Sequence, residues 1–242
     1  MRRETQNILL VLLGGALLKI SLNGTYLRYV KPAQLPWLIA AGVIMVVVAF
    51  VSIGRDIIAA RRPLETDEHG PGHGHHHGSY STWLLLLPVL AVFLIAPPAL
   101  GEDSVNRADN RTPPPTSSEE FGFPALPAGD VIDQSMRDFV ERAAWDKSGS
   151  LNNRPVRLTG FVVHKDADTY LARLTIGCCA ADAYPVKVKL DGPTVETLPS
   201  DSWVQATVTY QPGTSTKESR YTPTVTVKDL KPTAEPEDPY EY

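Results

Sequence analysis

Three long apolar blocks occupy the first hundred residues of the chain and do not recur after them. Residues 8–27 carry a single charged side chain, Lys19, whereas residues 32–54 and 78–101 carry none. A helix needs about 20 mostly apolar residues to cross the hydrocarbon core of a membrane. The pattern therefore predicts three transmembrane helices, at residues 8–30, 34–54 and 83–100.

Basic residues flank the predicted spans unevenly. Five lie before the first span or after the second, and two lie between them: Arg2, Arg3, Arg55, Arg61 and Arg62 against Arg28 and Lys31. Cytoplasmic segments carry the excess of Lys and Arg in membrane proteins, so the N-terminus is expected in the cytoplasm. Three spans then put the C-terminal residues outside the cytoplasm, in a multi-pass protein of the cell membrane.

Lys19 is the one ionisable residue well inside a predicted span. An ionisable group in lipid is costly enough to indicate a partner or a pathway. In the alternative interpretation, the span ends within residues 18–22 and the lysine reaches the membrane interface. Lys19 also interrupts the apolar core that a cleaved signal peptide would need, and no A-x-A-like site follows closely, so a retained span is favoured.

The rest of the chain is polar, rich in proline and acidic. Lys and Arg number 15 against 22 Asp and Glu in residues 101–242, and the mean hydropathy of −0.11 averages over this contrast with the apolar first part. A nucleic-acid surface needs basic residues that neutralise phosphates. Nucleic acid is therefore excluded as a partner.

A proline-rich linker and a short helix precede the predicted strands. Residues 101–129 have little apolar content and include three consecutive prolines, which is typical of a linker. Apolar residues then recur at spacings of three and four, as in an amphipathic helix that starts at Asp130 or Asp133 and ends before Gly149. These apolar positions are Ile132, Met136, Phe139, Val140 and Ala143.

After this helix the apolar alternation changes to a period of two, the pattern of half-buried strands. Gly160 lies in the middle of the first strand, where glycine makes a bend inexpensive. One helix before five strands predicts a mostly β, α+β domain over residues 130–242, with an OB-like barrel as the expected topology. The predicted strands are 154–164, 170–176, 185–190, 203–210 and 224–230.

Five of the six histidines lie in one glycine-rich loop, within residues 65–79, between the second and third predicted spans. Neutral imidazoles bind zinc, copper, nickel and cobalt, and a glycine-rich chain lets several rings reach one ion. The loop is interpreted as a transition-metal site, with zinc favoured by its availability, and a flexible linker without a ligand is the alternative. The five residues are His69, His73, His75, His76 and His77.

The only two cysteines are adjacent, at the end of the second predicted strand. On a continuing strand the side chains of Cys178 and Cys179 would point to opposite faces, so a shared role requires a turn, which Gly177 permits. Three interpretations stay open. The pair binds a soft metal with Asp182 or His164 as added ligands, forms a strained vicinal disulfide for redox sensing, or consists of one core residue and an incidental neighbour.

Nothing in the sequence indicates an enzyme. Nucleophilic catalysis needs a base beside the nucleophile. His164 is the only histidine in residues 101–242, and no Ser/His/Asp arrangement surrounds it. A phosphate-binding loop and a distinct pair of catalytic carboxylates are also missing from the sequence.

Several segments along the chain carry a family resemblance, and the paired cysteines are the most specific of them. The segments are residues 23–32, 158–162, 173–183, 201–204 and 239–242. With these, the chain resembles the YcgQ-type family of bacterial membrane proteins, whose members are described as permease subunits. The resemblance implies an accessory protein beside a multi-span permease. It also implies that Arg173, Cys178, Cys179 and Asp182 match the family's most distinctive motif, without an established role.

The sequence thus predicts an accessory subunit of a membrane permease, linked to the handling of a zinc-like transition metal. Its external domain is expected to bind or sense the ion through the Cys-Cys motif. The lipid bilayer and a multi-span permease are the expected partners. An extracytoplasmic redox or envelope-structure protein, with a vicinal cysteine pair and no transport role, is the alternative.

Overall fold

The structure is a computed structural model that describes residues 3–60, 90, 94, 98–108, 122–193 and 195–242. The chain forms two compact units, a helical unit of Met1–Tyr26 with Pro32–Pro98 and a barrel unit of Leu27–Lys31 with Ala99–Tyr242. The helices are α1 (Arg3–Leu22), α2 (Leu35–Ala60), α3 (Glu102–Arg107) and α4 (Met136–Trp145). The strands are β1 (Ile132–Asp133), β2 (Pro155–Lys165), β3 (Asp168–Thr175), β4 (Tyr184–Asp191), β5 (Trp203–Tyr210), β6 (Thr224–Pro232) and β7 (Tyr240–Glu241).

One helical stretch among the described residues, Pro32–Ile58, is long and apolar enough to cross a membrane. Its large apolar side chains are mostly exposed, including Trp37, Ile44 and Phe50. Such exposure is unlike that of a core helix in a soluble protein, which buries its apolar side chains. By length and composition, one of the three predicted spans is therefore supported.

The predicted limits of the first span are wrong. α1 ends at Leu22 rather than near residue 30, because Gly24 has a φ of +79° and the Asn23 side chain accepts a hydrogen bond from the Thr25 amide at 3.0 Å. α1 contains a shorter apolar stretch, Gln6–Leu22. Lys19 lies in the last turn of α1 and its side chain is exposed, a position from which a lysine can reach a membrane interface.

The second and third predicted spans also differ from the structure at their ends. α2 continues to Ala60, through Arg55 and Asp56, because nothing in that stretch breaks a helix. The third predicted span lies outside the described residues except for Leu90 and Leu94, which are helical, and residues 98–100, which are not.

α1 and α2 pack closely where each presents a glycine to the other. A Cβ added to Gly14 would lie 2.8 Å from Cγ2 of Val46, and one added to Gly42 would lie 2.9 Å from Cγ of Leu18. A Cβ on the neighbouring Gly15 would meet nothing within 4 Å. Small residues let helix backbones approach each other, so Gly14 and Gly42 determine how closely these helices pack.

Five strands of the barrel unit form a closed ring. The order β2–β5–β6–β4–β3 returns to β2, which pairs with β5 along its first part and with β3 along its last part. β4 and β6 are parallel, and the other neighbours in the ring are antiparallel. All five predicted strands are confirmed, each with limits within two residues of those expected. β2 changes partner beside Gly160, where a Cβ would lie 2.5 Å from the Ala172 carbonyl oxygen.

The main apolar core fills the ring and is extended by α4. Val156, Leu158 and Val162 of β2 all belong to it, as their alternation predicts. Met136 and Phe139 of α4 are fully buried in the same core. The helical spacing and the strand alternation therefore identify the residues of one shared core.

Ile132 belongs to a strand, contrary to the predicted helix start. It pairs in parallel with Val156 as part of β1. α4 begins only at Met136, because the Ser135 side chain caps it by accepting a hydrogen bond from the Asp138 amide at 2.9 Å. The spacing of Ile132 from the later helical residues was therefore coincidental. α4 ends at Trp145, before Gly149 as predicted.

A second apolar cluster lies on the outer side of β2 and β3. Val105 of α3 packs there against Phe161, Val163, Ala172 and Leu174. The predicted linker over residues 101–129 thus begins with a short helix that is held by one buried apolar residue. Six residues are too few for helical periodicity to be recognised in a sequence.

Candidate metal centre at the paired cysteines

The chain leaves the sheet directly before the two cysteines. β3 ends at Thr175, and the amide of the buried Ile176 donates a hydrogen bond to the Glu241 carbonyl at 3.0 Å. Gly177 and Cys178 then form a bend that leads into the short 3-10 turn Ala180–Asp182. The turn that a shared role requires is therefore present, and glycine lies at its start.

Asp182 holds this bend closed. One carboxylate oxygen accepts the Gly177 amide at 2.9 Å, and the other accepts the Cys178 amide at 2.8 Å. The two sulfur atoms lie 3.6 Å apart, and one ligand atom from each of Cys178, Cys179 and Asp182 falls within 4.8 Å of the others. The bend thus gathers two thiols and a carboxylate on an exposed turn.

The charge on Asp182 controls the protonation of Cys178. Burial would raise the pKa of Asp182, but hydrogen bonds from the Cys178 thiol and from the Gly177, Cys178 and Cys179 amides lower it overall. The hydrogen bond to Asp182 and its negative charge, with the Cys179 thiol, raise the pKa of Cys178 from 9.0 to about 11. A cation must therefore displace a tightly held proton from Cys178 to bind there.

The spacing of the sulfur atoms suits a tetrahedral ion. Two thiolates at a zinc–sulfur distance of about 2.3 Å lie about 3.8 Å apart across a tetrahedral angle, close to the observed 3.6 Å. The two sulfur atoms are not bonded to each other in the structure, and Cys178 is exposed. The interpretation of Cys178 as a core residue is therefore wrong, because the chain bends away after Ile176, the last buried residue in that phase.

Residues Leu27–Lys31, named here the strap, lie against the cysteine bend and belong to the same unit. The Lys31 amide donates to the Cys178 carbonyl at 3.3 Å, and the Ala180 amide donates to the Tyr29 carbonyl at 2.7 Å. Val30 forms an antiparallel bridge with Cys179. The backbone of the strap therefore holds both sides of the bend, which sequence reasoning missed although residues 23–32 were among the segments of the resemblance.

Arg173 positions the C-terminal strand, and within the described part of the chain its guanidinium binds that strand rather than the cysteines. Its guanidinium donates to the carbonyls of Asp238 at 3.2 Å and Tyr240 at 3.1 Å, and it lies 4.9 Å from the Trp203 ring centre. Its Nε lies 3.8 Å from the Glu241 carboxylate. Burial lowers the pKa of Arg173 and raises that of Glu241. Arg173 therefore supports β7, the strand whose Glu241 carbonyl accepts a hydrogen bond from the Ile176 amide just before the cysteine bend.

His164 is not among the residues gathered with the cysteines in the described part of the chain. Its Nε2 lies 2.8 Å from the Leu198 carbonyl oxygen and its Nδ1 lies 3.2 Å from the Thr169 hydroxyl. Both ring nitrogens are thus occupied by the protein. The predicted loop ligands, His69, His73, His75, His76 and His77, lie outside the described residues.

Comparison with protein families gives two matches. Residues 5–109 match the DUF1980 N-terminal domain, and residues 140–242 match the DUF1980 C-terminal domain. Both domains of this uncharacterised family are therefore found in the chain, in this order, with residues 110–139 between them. These descriptions name no activity, so the permease role stays a prediction. No curated protein and no solved structure matches the chain.

Proposed function

We propose that this protein is a membrane-anchored accessory subunit that binds a zinc-like transition-metal ion outside the cytoplasm and serves a multi-span permease. The observation that carries the proposal is the group formed by Cys178, Cys179 and Asp182, whose ligand atoms lie within 4.8 Å of one another. Thiolates select soft or borderline ions such as Zn²⁺ and Cu⁺. The function is binding and transfer, without catalysis.

Three ligands favour exchange of the ion over permanent storage. Structural zinc sites are closed by four protein ligands, whereas sites that exchange a ligand keep one position open. Cys178 is exposed, and Cys179 is partly so. The fourth ligand is assigned to water or to a donor on the partner, which gives the ion a route on and off the protein.

The distribution of basic residues supports the assignment of this site to the outside of the cytoplasm. Five Lys and Arg residues lie before the first predicted span or after the second, against two between them. With the N-terminus in the cytoplasm, three spans put residues 101–242 on the other side of the membrane.

We further infer that the five-stranded ring is an OB-like barrel. Its closure by one long strand that pairs with two neighbours, and its single parallel pair of strands, support that topology. Three spans with one interior lysine make a poor channel, so the transport path is assigned to the partner.

Zinc titration of the full-length protein in mild detergent tests the proposal. The five loop histidines are first replaced by serine, so that they cannot compete with the cysteines for the added ion. We expect one Zn²⁺ per chain, and the double variant Cys178→Ser with Cys179→Ser is expected to lose it. Glu218→Gln, on an exposed loop, is the matched control. Equal binding by the double variant and the control would contradict the proposal.

The redox alternative draws on the same observation, because the two thiols are neighbours with sulfur atoms 3.6 Å apart. It predicts that protein purified without a reductant contains no free thiol. The metal-binding proposal predicts two titratable thiols per chain, both protected when Zn²⁺ is present. A thiol count before and after the addition of Zn²⁺ therefore distinguishes the two functions.

A further inference from the structure

The C-terminal segment, residues 240–242, is anchored to both β3 and α4. β7 pairs in parallel with the end of β3, and the Glu241 carbonyl accepts a hydrogen bond from the Ile176 amide at 3.0 Å. The Glu241 carboxylate accepts the Met136 and Arg137 amides at the start of α4, each at 2.8 Å. The backbone of β7 is therefore fixed on two sides, directly beside the cysteine bend.

Tyr240 presents its hydroxyl to the strap. Side chains alternate between the two faces of a strand, so Tyr240 points away from the face on which Glu241 binds α4. Its ring packs in the second apolar cluster and is 3% exposed. The hydroxyl donates a hydrogen bond to the Arg28 carbonyl of the strap at 3.1 Å and accepts one from the Leu100 amide at 3.4 Å. The packed ring therefore holds the hydroxyl at a fixed place against the strap.

The hydroxyl of Tyr240 keeps its proton at neutral pH. Burial is the main cause that raises the pKa of Tyr240, and the hydrogen bond from the Leu100 amide offsets this rise only in part. A tyrosine in water ionises only near pH 10. The hydrogen bond to the Arg28 carbonyl therefore does not depend on pH near neutrality.

A second contact from the C-terminal segment holds the last residue of the strap. The Lys31 ammonium lies 5.2 Å from the centre of the Tyr242 ring, within the range of a cation–π interaction. The Tyr242 hydroxyl donates a hydrogen bond to the Asp238 carboxylate, which fixes the ring. The strap is thus held near both of its ends, at the Arg28 carbonyl and at Lys31.

We propose that Tyr240 is a positioning residue of the candidate metal centre, whose hydroxyl fixes the strap and, through the strap, the two cysteines. The backbone of the strap between the two contacts bonds to both sides of the cysteine bend, and Val30 bridges directly to Cys179. The two sulfur atoms lie near the separation that one tetrahedral ion requires. A strap released at Arg28 would let that separation vary, and outer contacts of this kind orient the ligands of metal sites. The inference deepens the proposed function and rests on it for its effect on zinc affinity.

Tyr240→Phe tests the inference because it removes the hydroxyl and keeps the buried ring. Tyr210→Phe is the matched control, since Tyr210 is also buried and its hydroxyl donates to the Ala143 carbonyl at 3.3 Å. Tyr210 lies at the opposite end of β5 from Trp203, which contacts Arg173. Both changes are made in full-length protein in mild detergent, with the five loop histidines replaced by serine as in the parent protein.

Amide hydrogen exchange of the metal-free protein is the first readout. Peptides covering residues 27–31 and 176–183 contain the bonded amides of Lys31 and Ala180. We expect their exchange to be about three- to tenfold faster in Tyr240→Phe than in the parent, the effect of one neutral hydrogen bond. Tyr210→Phe should lower the melting temperature by a similar amount and leave this exchange unchanged. Lys31→Met removes the second contact and should also accelerate the exchange, which keeps the test valid if Tyr240→Phe does not fold.

Zinc titration of the same preparations is the second readout. The dissociation constant for Zn²⁺ should rise by about three- to tenfold in Tyr240→Phe and stay unchanged in Tyr210→Phe. If the parent binds no Zn²⁺, the proposed function fails, and faster exchange in Tyr240→Phe alone still supports the hold of Tyr240 on the cysteines. The inference is overturned if both tyrosine variants show the same exchange at the bend, or if they bind Zn²⁺ equally tightly.

Discussion

Replacing Asp182 by asparagine should have opposite effects on the reactivity and the metal affinity of the cysteine bend. The carboxylate accepts hydrogen bonds from two backbone amides, and its own hydrogen bond with the Cys178 thiol is the largest of the causes that, with the Cys179 thiol, raise the pKa of Cys178 from 9.0 to about 11. Asp182→Asn keeps the shape and one acceptor oxygen but removes the charge. The pKa of the Cys178 thiol should therefore fall toward 9.0.

The size of the change in reactivity follows from that shift. If Asp182 caused the entire shift, its loss would increase the thiolate fraction at pH 7.5 by about 100-fold and decrease the nucleophilicity of each thiolate by about eightfold, a net gain of about tenfold. That gain is the upper limit, because Cys179 contributes to the shift. Cys178 is exposed, and solvent screening reduces such a shift, so we expect a gain of about three- to tenfold. Zinc affinity should decrease by about tenfold or more, because an anionic ligand is lost.

Timed alkylation of the full-length protein with iodoacetamide, followed by peptide mass spectrometry, measures the rate at Cys178. The same preparations are titrated with Zn²⁺. Glu218→Gln removes one carboxylate from an exposed loop and should change neither quantity. The reasoning is refuted if Asp182→Asn leaves the alkylation rate unchanged or lowers it, or if zinc binds the variant as tightly as the original protein.

Three further predictions concern stability. Gly14→Leu should lower the melting temperature of the detergent-solubilised protein, because its Cβ would lie 2.8 Å from Val46, whereas Gly15→Leu meets nothing within 4 Å and should be tolerated. Ser135→Ala removes the cap of α4 and should lower the free energy of unfolding by about 1 kcal/mol in a denaturant titration; no change would argue against the cap. Burial raises the pKa of Glu241, so the free energy of unfolding should fall as the pH rises from 4.5 through the raised value, and Glu241→Gln should abolish this dependence.

Short-range patterns predicted the barrel strands well. The period-two alternation of Val156, Leu158 and Val162 reflects burial of one strand face, and that face determines both the strand and its core residues. The same reasoning failed at Ile132, because a two-residue parallel strand has too few positions to show a period and its partner lies beyond the helix. It also missed α3, whose packing depends on the single residue Val105.

The candidate site was predicted only in part, because contacts between residues that are far apart in the chain leave no local pattern in the sequence. Gly177 was named as permitting the turn that a shared role of the two cysteines requires, and Asp182 was named, beside His164, as an added ligand. The contact between Val30 and Cys179 joins residues that are far apart in the chain, and no local pattern encodes such a bridge.

X-ray absorption at the zinc edge tests the central proposal most directly. The measurement uses full-length protein with the five loop histidines replaced by serine, loaded with less than one Zn²⁺ per chain. The proposal predicts two sulfur scatterers at about 2.3 Å together with oxygen ligands at about 2.0–2.2 Å. A first shell of oxygen and nitrogen without sulfur would contradict the assignment of Cys178 and Cys179 as metal ligands.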